Sequence, residues 1–266
     1  MAPPPIVVVR AGAPSSAGFV LVLAGGGYGF RSEHEYLPVT RWLADAGLPC
    51  GYLDYAVAPE TYPTPLVQVL AALRELRAGT YGAVHGPLVV LGFSAGAHLA
   101  GLALTATRAE RELAASRHGS GVDEYARPDA AVLCYPVVSM THLPHLGSRN
   151  NLLGELTADT ATAKSLSVEQ RVDAATAPTF LWHTADDAVV DVDHSLRLTA
   201  ALARHGVPTE LHVYPSGSHG LGLARGTGAP AGWPDACLRW LDEQGVGPRQ
   251  VHAPGEPPAH APEVGP

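Results

Sequence analysis

The sequence predicts one α/β domain, built on a mostly parallel central sheet with helices on both faces. Seven short apolar runs alternate with segments that carry apolar residues at the i, i+3, i+4 spacing of an amphipathic helix. The chain has 266 residues, of which 46% are hydrophobic and 16% are charged. That size and composition suit a single sizeable core. Strands that alternate with helices imply a parallel sheet buried on both sides.

The seven runs are bounded by turn residues and are interpreted as buried strands. They are IVVVR (6–10), FVLVL (19–23), CGYLDY (50–55), LVVLGF (88–93), AAVLCYP (130–136), TFLWHT (179–184) and ELHVY (210–214). Helical patterns lie between most of them, and several end in glycine, as helices commonly do. These patterns are HEYLPVTRWLADAG (34–47), PLVQVLAALRELRAG (65–79), SAGAHLAGLALTATR (94–108) and VDHSLRLTAALARHG (192–206).

Two segments break this rhythm. Residues 140–175 have no long amphipathic period and are dense in turn formers, so we expect a lid or a wall over a pocket. Residues 247–266 are rich in proline and glycine and have almost no large apolar side chain. Such a segment cannot offset the entropy of ordering, and a disordered tail is expected. The catalytic domain is therefore predicted to comprise residues 1–246.

Charge and cysteine content indicate which partners and which cellular compartment to expect. The formal net charge of −8 argues against a nucleic-acid or anionic-membrane surface, and no Lys/Arg-rich run opposes that average. The three cysteines, Cys50, Cys134 and Cys237, are widely spaced in or beside apolar segments, which suits a reducing compartment. The N-terminal apolar run lacks a basic flank and is too short for a signal peptide or a membrane span. We expect a cytoplasmic protein without a nucleic-acid or membrane partner.

The fourth predicted strand leads into a candidate nucleophile. Gly92-Phe93-Ser94-Ala95-Gly96 forms a G-x-S-x-G pattern between a buried strand and an Ala-rich helix. A sharp strand-to-helix turn exposes the serine hydroxyl, and the helix N-terminus favours developing negative charge. The alternative is a glycine-rich turn in which Ser94 only caps the helix. The pattern predicts a catalytic serine.

A catalytic serine needs a histidine base and a carboxylate that orients the histidine, here in the chain order Ser, Asp/Glu, His. Asp186 and Asp187 follow the sixth strand, and His219 lies in a Gly/Ser loop after the seventh. Loops at the carboxyl ends of strands are where open α/β sheets build their sites. We predict that His219 is the base and that one of the two aspartates orients it.

Three consecutive glycines follow the second strand in VLVLAGGGYGF (20–30). Bare backbone there aims N–H groups at an anion, but the spacing fits neither common phosphate-binding loop. Acyl transfer at Ser94 creates an oxyanion that needs about two preorganised N–H donors. The candidate donors are Gly26, Gly27, Tyr28 and Ala95. The ring of Tyr28 is expected near the acyl group.

Other polar and aromatic residues are interpreted structurally. His98 lies one helical turn into the predicted elbow helix and is expected to be buried beneath the elbow. His142 and His145 form a weak metal pair without further ligands at suitable spacing, so we predict neither a metal nor another cofactor. Trp182 and Trp240 are expected in the core.

Five stretches resemble the α/β-hydrolase superfamily, and within it the small esterases with an H-G-G-G-type oxyanion loop, especially the acetyl-xylan-esterase-like carbohydrate esterases. They are AGGGYGF (24–30), LDYAVAP (53–59), GFSAGAHLA (92–100), LWHTADDAVV (181–190) and SHGLGLA (218–224). The resemblance implies that Asp187 is the acid, since Asp187-Ala188-Val189-Val190 matches the D-x-x-V acid loop. Asp186 would then face solvent or accept N–H bonds from the loop. The chain departs from the family pattern at Ala24, Ala56 and Asp191, where histidine, arginine and proline are common.

The resemblance also implies an activity. The expected protein is a serine hydrolase that cleaves short-chain, acetyl-type esters of a carbohydrate or other small alcohol through an acyl-enzyme. Ser94, Asp187 and His219 would be catalytic, and Gly26, Gly27 and Ala95 would bind the oxyanion. Because one triad serves several chemistries, an amidase, a formamidase or a small peptidase is the alternative. A non-catalytic binding protein on the same fold is the third possibility.

Overall fold

The computed structural model describes residues 6–9, 18–119 and 121–247, and within them a seven-stranded sheet of order β1-β3-β2-β4-β5-β6-β7. The strands are β1 Ile6–Val9, β2 Phe19–Leu23, β3 Cys50–Leu53, β4 Leu88–Phe93, β5 Ala130–Cys134, β6 Thr179–Thr184 and β7 Thr209–Tyr214. All seven predicted strands are confirmed. β1 pairs with β3 in antiparallel orientation at one edge, and every other pairing is parallel.

Helices connect the strands and cover the sheet. They are α1 Leu37–Asp45, α2 Thr64–Arg77, α3 Ala95–Leu104, α4 Arg108–His118, α5 Leu146–Leu153, α6 Thr160–Ser165, α7 Asp193–Arg204 and α8 Trp233–Glu243. The four predicted helical patterns correspond to α1, α2, α3 and α7. The helix α4 is polar and lacks an apolar period. Its start is defined by a capping box that Thr107 and Glu110 form.

Residues 140–175 are more helical than their turn-forming composition suggested. α5 and α6 are only 8 and 6 residues long, which is too short to show an amphipathic period. Side-chain caps start both helices: His145 accepts a hydrogen bond from the N–H of Ser148, and Asp159 accepts one from that of Ala161. Local capping therefore defines helices that hydrophobic periodicity could not reveal.

The core lies on both faces of the sheet, because successive strand side chains point to opposite sides. In β2, Leu21 and Leu23 belong to the layer beneath α2, α3 and α7, whereas Val20 and Val22 belong to the layer beneath α1 and α8. This two-sided burial explains why the strands are continuously apolar. The expected burial of Trp182, Trp240 and His98 is confirmed, and the three free cysteines are also buried.

Two further points concern the C-terminal segment and the length of the helices. The expected tail, 247–266, lies outside the described residues except for Gly247, so the domain boundary at residue 246 stays a prediction. Among the helices of the described ranges, none is long and apolar enough to cross a membrane.

Candidate active site

The turn between β4 and α3 is shaped by close packing of the backbone. A Cβ atom at Gly92 would lie 2.4 Å from the carbonyl oxygen of Gly96, and one at Gly96 would lie 2.2 Å from that of Leu23. Ser94 sits between these glycines with φ 51°, in a left-handed conformation that non-glycine residues rarely adopt. The two glycines of G-x-S-x-G are thus required sterically, and the turn presents Ser94 at the carboxyl edge of the sheet.

Three predicted residues meet at this edge. Nε2 of His219 lies 2.8 Å from Oγ of Ser94, and Nδ1 of His219 lies 2.7 Å from Oδ2 of Asp187. The other carboxylate oxygen of Asp187 accepts hydrogen bonds from the N–H groups of Val189 and Val190, at 2.9 and 3.0 Å. These bonds fix the carboxylate against the imidazole, which is the arrangement needed to orient a general base.

The neighbouring aspartates have different environments. Burial acts to raise the pKa of Asp187, but hydrogen bonds from His183 and His219 outweigh it and hold that pKa well below its ordinary value. Asp187 therefore remains an anionic acceptor. Asp186 is exposed and accepts a hydrogen bond from the N–H of Gly217 at 2.8 Å. The structure brings only Asp187 to the imidazole.

The glycine loop after β2 borders the same site. Gly26 has φ 120°, and a Cβ atom there would lie 2.3 Å from the carbonyl oxygen of Phe30, so only glycine fits. A turn bond from the N–H of Gly29 to the carbonyl of Gly26 closes the loop at 3.0 Å. Within the described ranges, the N–H groups of Gly26, Gly27 and Ala95 have no hydrogen-bond acceptor. The N–H of Tyr28 likewise has no acceptor there, so all four predicted donors are unpaired main-chain groups.

The side chain of Tyr28 corrects one expectation. Its ring does not border the cavity but is buried beneath the loop, with its hydroxyl 2.7 Å from Nδ1 of His98. Burial lowers the pKa of His98 to about 3, so this imidazole is neutral; it donates from Nε2 to the carbonyl of Leu166 and accepts at Nδ1 from Tyr28. The prediction of an aromatic ring near the acyl group is wrong, because the ring supports the loop from the core side. Only the main chain of Tyr28 remains a candidate contribution to the site.

A buried carboxylate that sequence reasoning missed links the loops around the serine. Glu35 is 2% exposed and accepts hydrogen bonds from the N–H of Gly25 at 2.8 Å and from the hydroxyl of Tyr135 at 2.7 Å. The Tyr135 hydroxyl accepts from the N–H of Gly222, in the loop that carries His219. The sequence contained a signal for the burial of Glu35. In the first helical pattern Glu35 lies four residues before the buried Val39, and residues at this spacing share one face of a helix.

A cavity of about 350 Å³ opens over the serine. The glycine loop, the His219 loop and α5 form its walls, and α5 contributes Asn151, whose amide donates to the carbonyl of Gly27 at 2.9 Å. Phe30 and Val189 border the cavity and are 63% and 51% exposed. Residues 140–175 thus supply part of the pocket wall, one of the two roles expected for them, and the lid stays a prediction.

The two histidines considered as a metal pair have separate partners. Nε2 of His142 lies 2.9 Å from Oδ2 of Asp193, whereas Nδ1 of His145 caps α5 beside Ser148. In the described part of the chain, no group of three or more His, Cys, Asp or Glu residues could hold a metal ion. His145 instead borders the cavity with Ser94 and His219.

The chain is similar to a family of known proteins and to several proteins that are named as ester hydrolases. The model of the BD-FAE family matches residues 9–202. A crystal structure of an acetyl ester-xyloside bifunctional hydrolase from Caldicellulosiruptor lactoaceticus is 38% identical to the chain, with a TM-score of 0.82. That match covers 92% of this chain and 89% of the other.

Two curated relatives match over 211 residues, which is 77% of this chain. An endo-1,4-beta-xylanase B from Butyrivibrio fibrisolvens is 30% identical, and an acetylxylan esterase from Xylanibacter ruminicola is 29% identical. The matches cover 32% and 41% of these relatives, so the chain spans less than half the length of either.

Proposed function

The chain belongs to the BD-FAE family, within the α/β-hydrolase superfamily, and on that premise we propose that it is a serine esterase acting on short-chain acyl esters of a carbohydrate or other small alcohol. The observation that carries the proposal is the hydrogen-bonded series from Ser94 through His219 to Asp187. The names of an acetyl ester-xyloside hydrolase and an acetylxylan esterase among its relatives support an acetyl-type substrate.

The first half-reaction forms an acyl-enzyme. Asp187 accepts a hydrogen bond from Nδ1 of His219, so the Nε2 lone pair faces the hydroxyl of Ser94. Oγ of Ser94 attacks the ester carbonyl carbon while Nε2 takes its proton. The C=O electron pair moves onto the oxygen, which the unpaired N–H groups of the glycine loop and the elbow bind. The intermediate collapses as the alkoxide leaves with the proton from Nε2.

The second half-reaction repeats the chemistry with water. Nε2 takes a proton from water as its oxygen attacks the acyl carbon, and collapse releases the carboxylic acid and returns the proton to Ser94. Loss of one oxyanion donor costs a rate factor of about 10²–10³, so the unpaired N–H groups of Gly26, Gly27 and Ala95 are a substantial part of this proposal.

A short acyl group is favoured by the lining of the site. Among the described residues that border the cavity, Phe30 and Val189 are the only large apolar side chains, and both are more than half exposed, so little apolar surface is available to a long acyl chain. Acetyl and propionyl esters are therefore expected to give the highest kcat/KM. A maximum at acyl chains of about ten carbons or more would reject this acyl specificity.

The proposal is tested by covalent labelling and turnover. We expect a fluorophosphonate probe to label the wild type, and we expect Ser94→Ala to lose both labelling and ester hydrolysis. Without its nucleophile, a site of this kind retains at most a rate enhancement of about 10³–10⁴-fold over the reaction in water. The exposed Ser116 on α4 provides the control, because Ser116→Ala should keep both properties. Full activity of Ser94→Ala would refute the assignment. Labelling with turnover of aryl formamides but not of esters would instead identify an amidase.

A further inference from the structure

His145 presents an unpaired hydrogen-bond donor to the cavity. Its Nδ1 accepts a bond from the N–H of Ser148 at 3.2 Å, at the N-terminus of α5, and the Ser148 hydroxyl, 2.8 Å from Nδ1, can donate to the same nitrogen. A backbone N–H can only donate, so Nδ1 is unprotonated and the neutral ring carries its hydrogen on Nε2. Burial, followed by the proximity of His219, lowers the pKa of His145, which favours this neutral form.

The imidazole of His145 lies at the cavity that contains the reacting groups. His145 borders the same cavity as Ser94, Gly147 and His219. The Cε1 atom of His145, between the two ring nitrogens, lies 3.7 Å from the position that a Cβ atom would take at Gly27, and Nε2 lies 3.7 Å from the corresponding position at Gly147. No residue of the described ranges offers Nε2 of His145 an acceptor within hydrogen-bond distance.

The chemistry of an acetyl ester restricts what this donor can bind. The carbonyl oxygen of the ester is assigned to the main-chain N–H groups of the oxyanion site, and the methyl group of the acetyl half has no acceptor. The remaining oxygen atoms belong to the alcohol half. A donor fixed by α5 and left unpaired in the cavity is therefore suited to an oxygen of the alcohol.

We propose that the Nε2–H group of His145 donates a hydrogen bond to a hydroxyl or ring oxygen of the alcohol half of the ester, so that α5 selects esters of carbohydrates or other polyols over esters of apolar alcohols. This inference rests on the proposed esterase function and specifies its substrate class. It makes His145 a specificity-determining residue rather than a participant in bond breaking.

The test compares two acetates whose alcohol halves are secondary six-membered rings: a monoacetate of methyl β-xyloside and cyclohexyl acetate, which has no hydroxyl. Serine is a good N-cap, so His145→Ser preserves the start of α5 while removing the Nε2–H donor. We expect kcat/KM for the xyloside ester to fall about 10-fold, the upper range for one hydrogen bond, mainly through KM. For cyclohexyl acetate we expect a change below about 2-fold.

His142→Ser is the matched control, because His142 lies three residues away, pairs with Asp193 and does not border the cavity. It should leave both substrates unaffected, and thermal unfolding checks that each variant folds. An equal fall on both esters after His145→Ser would overturn the inference, since it would indicate a role at the oxyanion; unchanged kinetics on both would overturn it in favour of capping alone.

The wild type provides a measurement that does not depend on any variant. Its kcat/KM should be higher for the xyloside monoacetate than for cyclohexyl acetate, and a preference for cyclohexyl acetate would overturn the inference while leaving the esterase function intact. A wild type that hydrolyses neither these esters nor aryl acetates would contradict the proposed function itself.

Discussion

At the scale of single residues, the acid loop shows how position alone separates two identical side chains. Asp186 and Asp187 are adjacent, yet Asp187 is buried against His219 while Asp186 is exposed and bonded to the N–H of Gly217. His183 adds a second imidazole beside Asp187, with its Nε2 3.3 Å from Oδ2. A charge in this position can hold the His219 tautomer and stabilise the imidazolium formed during reaction.

Replacement of each aspartate by asparagine tests this difference. Asp187→Asn should lower kcat by a factor on the order of 10⁴ with KM nearly unchanged, because an amide no longer fixes the imidazole tautomer. Asp186→Asn should stay within a few-fold of wild type, since the amide oxygen can still accept the N–H of Gly217. Steady-state kinetics of both variants at one pH provide the measurement. The reverse ranking would transfer the orienting role to Asp186.

At the scale of elements, Glu35 connects three segments that surround the serine. The carboxylate receives the N–H of Gly25 from the glycine loop and the hydroxyl of Tyr135 from the end of β5. Tyr135 in turn accepts the N–H of Gly222, and its ring lies edge-on to the His219 imidazole, with 5.0 Å between centroids. One buried acidic group thus aligns the proposed oxyanion loop with the proposed base.

This burial predicts a pH-dependent stability. Desolvation raises the pKa of Glu35 above its ordinary value of 4.5, although the bonds from Tyr135 and Gly25 oppose the shift. Above pH 4.5 and up to the raised pKa, the folded state binds more protons than the unfolded state, so the wild-type free energy of unfolding should fall as pH rises. Glu35→Gln does not titrate and should become more stable relative to wild type across that window.

Urea unfolding of wild type and Glu35→Gln at a series of pH values measures the difference. The exposed Glu33 supplies the control, because Glu33→Gln should follow the wild-type pH dependence. If wild type gained stability over Glu35→Gln as the pH rose, the ionised form of Glu35 would be the favoured one and the predicted sign would be wrong.

At the scale of the whole molecule, the last described residues are part of the core. Val246 is fully buried in the layer beneath α1 and α8, and its N–H bonds to the carbonyl of Leu241 in α8. The described strands and the residues that line the described cavity all precede Val246. The domain boundary at residue 246 stays a prediction, which truncation tests.

Removal of residues 247–266 should leave the thermal unfolding midpoint within measurement error, since their composition provides little apolar surface to bury. The kcat/KM for an aryl acetate should also be unchanged. A further truncation that removes Val246 should lower the midpoint, because it deletes a buried side chain. A marked drop after the first truncation would show that the predicted tail packs on the domain.

The sequence by itself determined the positions of the seven strands along the chain, the turn around Ser94 and the glycine loop. These features depend on residues that are close together in the chain: an apolar run of 4–6 residues, or two glycines whose missing side chains permit one tight turn. The order Ser94, Asp186 or Asp187, His219 then restricted the candidates for a triad, because the carboxyl ends of parallel strands share one edge.

Only the tertiary structure decided where individual side chains point and what they meet across the sheet. It set Asp187 against His219, turned the ring of Tyr28 into the core, and joined Glu35 to Tyr135 across 100 residues of sequence. It also placed the imidazole of His145 at the cavity and at the start of α5, although the sequence pattern suggested only half of a weak metal pair. Local periodicity and sterics specify an element, whereas the partner of a side chain depends on how all the elements pack, which no short stretch of sequence contains.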